Sequence, residues 1–474
     1  MKHHHRIQKH RFAKTYASSG PLCVLLVVAI AFLGCTRDKG GKSAETNGGK
    51  TEDAESGEFE LGDLVESFDP PELAELEKTV EWRDMPVVDS LELMRERQAN
   101  ETPLATVEEA LELRNDSAEN NAKIVSALGR VAKDVSEANE NAEWLRHTSG
   151  DVKSTNPLMS SSAAEADVNG LTSIGMFGFD WNFNPHAGAD SVVTWQTSKD
   201  GLYDKVIMRD DMTWSDGKPV TAHDVEFSYK VIMSSQVPVP AVRSGTDQLK
   251  WVQAYDDHTV VFFHKEPMAT NIWNITFPII PKHIFEKSIA EDPTLSKSPY
   301  HVKQDEIPVT GGAYVIKKRS RGQEIVLTRR ESYYMHDGKQ VRDKPYFKDV
   351  RFKIIIDPST SLLALKKGEI EEMTLTPEQW QTQTNDEVFY ANNTKVYGLE
   401  WVYFYFGWNC KTPYFSDKRV RKAMSYAFDH EEMLVKHRFG MDEACTGIYH
   451  GTSRWAPQPA PEPYKQNLKK AEQL

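Results

Sequence analysis

Between Leu202 and Ile232 the apolar positions change period once, and the change marks two elements. Tyr203, Val206 and Met208 stand among charged neighbours, which predicts a strand from about 202 to 208. Asp216 and Gly217 supply a turn, because glycine takes backbone angles that other residues resist. Pro219 fixes the exit, and Thr221 is placed to cap a helix whose third residue is Asp224. This is a capping box with Asp where Glu or Gln is usual, and such a cap contributes about 1 kcal/mol. Val225, Phe227, Tyr229, Val231 and Ile232 then form the apolar side of that helix.

Upstream, residues 58–147 read as mostly helical. Asp69 can cap a helix beginning with Pro70 and Pro71, and Thr106 with Glu109 forms a second capping box. Ile124, Leu128, Val131, Val135, Ala138, Ala142 and Leu145 are spaced alternately four and three, which lays one apolar stripe along a helix. That stripe serves either a coiled-coil partner or the chain's own packing. From about residue 148 strands and helices alternate irregularly, as in an α/β fold with mixed sheets.

Charge sharpens this division. Of the 474 residues, 70 are acidic and 57 basic, a net of −13, yet residues 58–147 alone hold 23 acidic and 9 basic side chains. The acidity therefore belongs to one segment, and the near-neutral remainder gives no footing for nucleic acid. The apolar share, 39%, is low for a chain that is all packed core. Residues 36–57 are Gly, Lys, Glu and Ser with little to bury, a flexible linker. Gly41-Lys42-Ser43 and Gly49-Lys50-Thr51 look like the end of a phosphate-binding loop, but the first glycine would fall at Thr36 or Ala44.

Residues 1–35 read as an export signal. Lys2, Arg6, Lys9, Arg11 and Lys14 make a basic head, and the apolar run Leu22 to Leu33 is of signal length. Its end, Phe32-Leu33-Gly34-Cys35, resembles a lipobox whose cysteine carries lipid; an uncleaved anchor or an ordinary signal peptide are the alternatives. Acyl chains contribute about 0.8 kcal/mol per buried methylene, enough in combination to hold a water-soluble domain on a membrane. Cys410 and Cys445 then remain, to pair or to stay as two thiols.

No motif of catalysis or metal binding stands out, and no cofactor is expected. Gly-x-Ser-x-Gly, His-Glu-x-x-His and a Cys/His set are all missing from the sequence. His430, Glu431, Glu432 and His437 come nearest, but seven positions on a helix separate the histidines by about 10 Å, too far for one metal. His258 and His264 fall in a hairpin and are expected to be exposed.

Five blocks carry a resemblance. They are RDDMTWSDGKPVTAHDVEFSY around 209–229, AYDDHTVVFFHKEP at 254–267 and TGGAYVIKKRSRGQEIVLTRRESYY at 310–334. A fourth, KPYFKDVRFKIIIDPSTSLLALKKGEIEEM, spans 344–373, and a fifth, GWNCKTPYFSDKRVRKAMSYAFDHEEML, spans 407–434. In this order they are similar to the family 5 extracellular solute-binding proteins, the peptide-, nickel- and opine-binding receptors of ABC importers. Arg330 to Tyr334 replace the family's Asn-Pro-x-Tyr-Trp, Glu371 replaces an Asp, Tyr414 a Pro, and Asn156 the Asp of an opening Leu-Asp-Pro.

The resemblance implies a bilobal, periplasmic-binding-protein-like class II fold with an added N-terminal helical extension. Residues 148–400 would form the first lobe and 401–474 the start of an incomplete second lobe. By the family's positions, Ser161, Ser162 and Ala163 match a ligand-edge strand of the first lobe. The strand 403–408 matches the crossing into the second, with Tyr405 and Trp408 as aromatic ligand contacts and Arg419 and Arg421 as stabilising residues. The family's acidic partner for a peptide amino terminus falls beyond residue 474. The implied function is a lipid-anchored receptor in the periplasm or on the envelope exterior, without enzymatic activity. Its partners would be a peptide or other small solute, ABC permease subunits and, through Cys35, the membrane. Thr36 after Cys35 leaves transfer to the outer membrane open. The alternatives are a degenerate receptor docking a partner through the acidic extension, and an extracytoplasmic hydrolase.

Overall fold

A computed structural model of the chain describes residues 59–131, 139–180, 182–398, 402–451 and 453–474. The signal, Cys35, the linker, and Val135 and Ala138 of the apolar stripe lie outside the described residues.

The strand, turn and helix expected at 202–232 are all present, as a strand Tyr203–Met208 and a helix Ala222–Ile232. Gly217 takes φ +84°, and its N–H closes the turn on the Trp214 carbonyl at 2.9 Å. Thr221 N–H donates to Asp224 Oδ2 at 2.9 Å, the back half of the capping box.

The strand belongs to a five-stranded sheet ordered β1 (Trp82–Asp84), β6 (Val192–Ser198), β7 (Tyr203–Met208), β9 (Thr259–His264) and β8 (Leu249–Ala254). Every neighbouring pair in it is antiparallel. Each residue of β9 is buried, because both faces of the sheet are covered. On one side Val260 and Phe262 join the largest core with Trp195, Val206, Trp214, Phe227 and Ile232. On the other, Val261 and Phe263 pack with Leu76, Phe68 and Trp82 of the acidic segment. A second sheet runs β10 (Tyr314–Ser320), β11 (Glu324–Arg329), β14 (Asp349–Ile354), β3 (Glu143–Thr148), with β3 parallel to β14. The helix Ala163–Thr172 contributes Ala164 and Val168 to its core. Smaller sheets join β2 (Val87–Val88), β5 (Pro185–Gly188) and β4 (Phe177–Phe179), and pair β12 (Met335–His336) with β13 (Lys339–Gln340).

Several expectations are corrected. Among its described residues the acidic stretch does hold four helices, but it also supplies β1, β2 and nearly all of β3, so it is woven into the sheets. The apolar stripe is not one helix: Ala118–Leu128 ends at Gly129, and Leu145 is extended in β3. Sheet pairing with β14 outweighs the helical spacing there. The first helix starts at Leu73 behind Glu72, not at Pro70 behind Asp69. His264 is buried rather than exposed; its Nε2 lies 2.7 Å from Asp204 Oδ2, because β9 is an inner strand. The capping box of Thr106 and Glu109 is present as expected.

Two buried cations knit these parts. Arg330, which replaces the family's Asn, donates to the carbonyls of Thr310 (2.9 Å), Gly312 (3.0 Å) and Thr213 (2.6 Å), and burial pushes its guanidinium down to about 10. Lys395 donates to Trp380 O (2.8 Å), Thr384 Oγ1 (3.0 Å) and Asn385 Oδ1 (2.8 Å), while its own carbonyl accepts from Asn115. Burial lowers the Lys395 ammonium from 10.5 to about 8. Between those two values the unfolded chain holds a proton that the folded chain has lost, so this group's contribution to stability rises with pH across the window. Urea midpoints measured from pH 7.5 to 10.5 are expected to show that slope in the wild type and to lack it in Lys395→Met.

Candidate functional site

The expected ligand segment at residues 153–165 is braced by hydrogen bonds to two buried or half-buried carboxylates. Asn156 Oδ1 accepts from Leu158 N–H at 3.0 Å, so Asn performs the capping that the family's Asp would. Ser161 to Ala163 do not form a strand: Ser162 caps the helix Ala163–Thr172, accepting from Glu165 N–H at 3.3 Å. The helix wins because Glu165, buried, turns back to accept from Ser161 N–H (2.7 Å), Ser161 Oγ (3.2 Å) and Lys153 N–H (3.1 Å). Below them Asp305 accepts from Ser154 Oγ (2.7 Å), Thr155 N–H (2.8 Å) and Arg319 Nη1 (2.7 Å). Burial pushes the Asp305 carboxyl up, but these donors outweigh it and hold it below its ordinary value. Ser161 and Ala163 remain exposed on this braced support.

The expected strand at 403–408 is irregular at its described residues, with no strand paired to it. Its backbone has no ladder to join, so its rings stack locally instead. Tyr403 and Tyr405 lie 5.7 Å apart by ring centroids, Phe406 and Trp408 6.2 Å, and Trp408 stacks on Phe415 at 4.6 Å. Tyr405 is exposed, and Phe404 and Phe406 still more so. Arg419 and Arg421 bond to neighbours in the chain: Arg419 Nε donates to Asp417 Oδ2 at 3.0 Å, and Arg421 Nη1 to the Ser416 carbonyl at 3.1 Å. Cys410 and Cys445 are both free and exposed.

A cavity of about 520 Å³ opens where residues 358–383 face residues 436–439. Pro358, Thr376, Gln379 and Gln383 line one side, and Lys436, His437, Arg438 and Phe439 the other. Its volume lies within the range of small-molecule sites, about 300–1,000 Å³. None of Ser161, Ser162, Ala163, Tyr405 and Trp408 lines it. Among the described residues no hydrogen bond or ring contact joins the 161–163 ledge to the 403–408 strip.

Sequence reading also missed a Ser-His-Asp arrangement. Ser288 Oγ lies 2.8 Å from His301 Nε2, and His301 Nδ1 lies 3.0 Å from Asp292 Oδ2. Burial raises the Asp292 carboxyl, but Ser298 N–H, Thr294 and His301 more than offset this and hold it far below its usual range. The three residues sit within fourteen positions, but only folding of the 288–301 loop aligns them. The cavity beside His301 is about 30 Å³, room for about one water rather than an acyl substrate. The arrangement pins a loop. Among the described residues no cluster of three or more His, Cys, Asp or Glu is placed to hold a metal, and no helix is long and apolar enough to cross a membrane.

A sequence profile of the bacterial extracellular solute-binding proteins, family 5 Middle, matches residues 190–474. The chain belongs to that family. The oligopeptide-binding protein AppA of Bacillus subtilis (strain 168) is 30% identical over 239 residues, 49% of this chain. This family member spans only 40% of AppA's own sequence. The solved structure of B. subtilis AppA in complex with a nonapeptide superposes with a TM-score of 0.60 at 26% identity, covering 71% of this chain and 64% of AppA. NikZ from Campylobacter jejuni, solved in complex with Ni(L-His), shares the fold at 22% identity and a TM-score of 0.53, covering 71% of this chain and 62% of NikZ. The mixed sheets of this family 5 chain are thus those of the class II binding-protein fold.

Proposed function

We propose that this chain is an extracytoplasmic solute-binding receptor of an ABC importer, lipid-anchored at Cys35, that takes up oligopeptides and presents them to a membrane permease. The observation that carries the reading is the family match over 190–474 joined to 30% identity with an oligopeptide-binding protein. The chemistry is binding without bond-making. An extended peptide offers main-chain donors and acceptors, and a receptor edge that pairs with them gains affinity regardless of side-chain identity. In this proposal Ser161, Ser162 and Ala163 meet the peptide from the start of the helix Ala163–Thr172 rather than from a strand, and Tyr405 and Trp408 supply apolar contact from the facing part. Closure of the two parts over the solute creates the form that the permease recognises.

Titration calorimetry of the full chain with defined peptides of three to nine residues tests the solute. Saturable heat with peptides and none with nickel–histidine supports the reading. Binding of nickel–histidine alone moves the chain to another solute class, and silence with every ligand overturns the receptor function. Tyr405→Ala is expected to weaken peptide binding about tenfold, the loss typical of one aromatic contact. Mass analysis of membrane fractions from cells expressing the wild type and Cys35→Ser tests the anchor.

A further inference from the structure

Residues 402–474 bury little of themselves. The helices Lys418–Ala427, His430–Glu432 and Leu468–Gln473 contain no buried residue and add nothing to the core clusters. Trp455 is the exception among the described residues beyond 401, since it packs against the largest core. Ser453 and Ala456 beside it are buried. The Trp455 indole N–H donates to the Phe183 carbonyl at 3.0 Å, and Arg454 Nη1 donates to Asn184 Oδ1 at 2.9 Å. Tyr449 covers the ring, its centroid 6.4 Å away and the planes 30° apart.

The receiving loop is held in a costly shape. Phe183 takes φ +61°, a left-handed conformation that costs a bulky residue about 1–2 kcal/mol. Asp180 enforces it: Oδ1 accepts from the N–H groups of Asn182 (2.7 Å) and Asn184 (2.8 Å), and Oδ2 from Asn184 Nδ2 (2.8 Å). Phe183 N–H closes the loop on the Asp180 carbonyl at 3.0 Å. With the amide nitrogen of Asn184 committed to Asp180, its oxygen is turned to Arg454. Phe179, stacked on Trp273 at 4.0 Å, backs Phe183 from the core. Strain of this kind persists only where surrounding contacts over-determine it, and it concentrates where a loop must present a group.

We propose that Trp455 is a docking latch, seated on the Phe183 carbonyl with Arg454 on Asn184, that attaches residues 402–474 to the first lobe and sets their orientation. Elsewhere along this seam the described contacts are thin, such as the Tyr397 hydroxyl donating to the Met441 carbonyl at 2.8 Å. A solute entering between 358–383 and 436–439 acts on a part that pivots about this seat. That consequence for capture rests on the receptor reading; the attachment itself does not.

Hydrogen exchange by mass spectrometry on the ligand-free full chain tests it. Trp455→Ala is expected to raise exchange about tenfold in both 182–188 and 453–456, with β6 to β9 unchanged. Trp455→Phe keeps a ring but loses the donor, and should fall between it and the wild type. The proposal is overturned if 182–188 exchanges as before, or if the increase spreads evenly through β6 to β9. Should Trp455→Ala fail to fold, Arg454→Met removes the donor to Asn184 Oδ1 while leaving the Asn184–Asp180 bond in place, and must loosen the same two segments more mildly; no change in either overturns the latch. None of these readings depends on peptide titration, so loss of the receptor function leaves them standing.

Discussion

Asp224→Ala is expected to lower the unfolding free energy by about 3–5 kcal/mol, since it strips an acceptor from three buried or half-buried donors at once. Asp224 is buried, with Oδ2 accepting from Thr221 N–H (2.9 Å) and Trp214 Nε1 (3.3 Å) and Oδ1 from Lys282 N–H (2.8 Å). It joins the turn, the start of the helix Ala222–Ile232 and the start of the helix Lys282–Phe285 in one clamp. Asp224→Asn should recover little, because one oxygen cannot serve both sides and the new amide faces a donor. Burial holds the carboxyl above its ordinary 3.8 against the pull of Thr221 and Lys282. The folded chain therefore binds this proton more readily than the unfolded chain, and the penalty on the charged form is relieved as pH falls through the raised value. Acid unfolding is not driven from this site. Urea midpoints of the wild type and the alanine variant decide the matter; coincident midpoints would falsify the clamp.

Gly312→Ala is expected to cost about 3 kcal/mol or more, through main chain that cannot move aside. A Cβ at Gly312 would lie 2.6 Å from the Thr172 carbonyl carbon, 2.7 Å from Leu171 O and 2.8 Å from Ser173 O. Opening that gap breaks the bond from Gly312 N–H to Thr172 O (2.8 Å) and disturbs the carbonyl that Arg330 holds. Gly311→Ala meets Cγ1 and Cδ1 of Ile174, a side chain that can partly rotate, so its cost should be smaller. Gly322→Ala meets nothing within 4 Å but sits at φ +70°, and should lose about 1 kcal/mol by conformation alone. Thermal unfolding of the three variants should rank them in that order. If Gly312→Ala costs no more than Gly322→Ala, the close backbone approach is not what the glycine serves.

Reading the sequence succeeded where neighbours in the chain decide the outcome. The turn at Gly217, the caps at Thr106 and Thr221 and the hairpin of β8 and β9 are all local. It failed where a distant strand makes the choice. Leu145 continues a helical stripe by spacing, but β14 offers it a ladder at Arg351, 206 positions away, and extended pairing wins. His264 reads as a hairpin residue, but two covered sheet faces put it inside against Asp204.

The candidate site divides along the same line. Ser161 to Ala163 and the ring-rich run through Tyr405 and Trp408 could be picked out by position. Their conformations could not, because Glu165 holds the first at a helix start and no neighbouring strand takes up the second. The seat of Trp455 gave no signal in the chain at all: Phe183 is a bulky residue with positive φ, and only Asp180 and the aromatic core beneath make that conformation tolerable.

The amino-acid order alone determined the local elements, the concentration of acid in residues 58–147 and membership of family 5, because turn chemistry, caps and charge depend on residues a few positions apart. Tertiary structure alone decided that the acidic stretch supplies strands to both large sheets, that a buried carboxylate clamps the signature block, and that Trp455 binds back to the loop at Phe183. Those outcomes are set by hydrogen-bond partners and burial between segments tens to hundreds of residues apart, which no local pattern encodes.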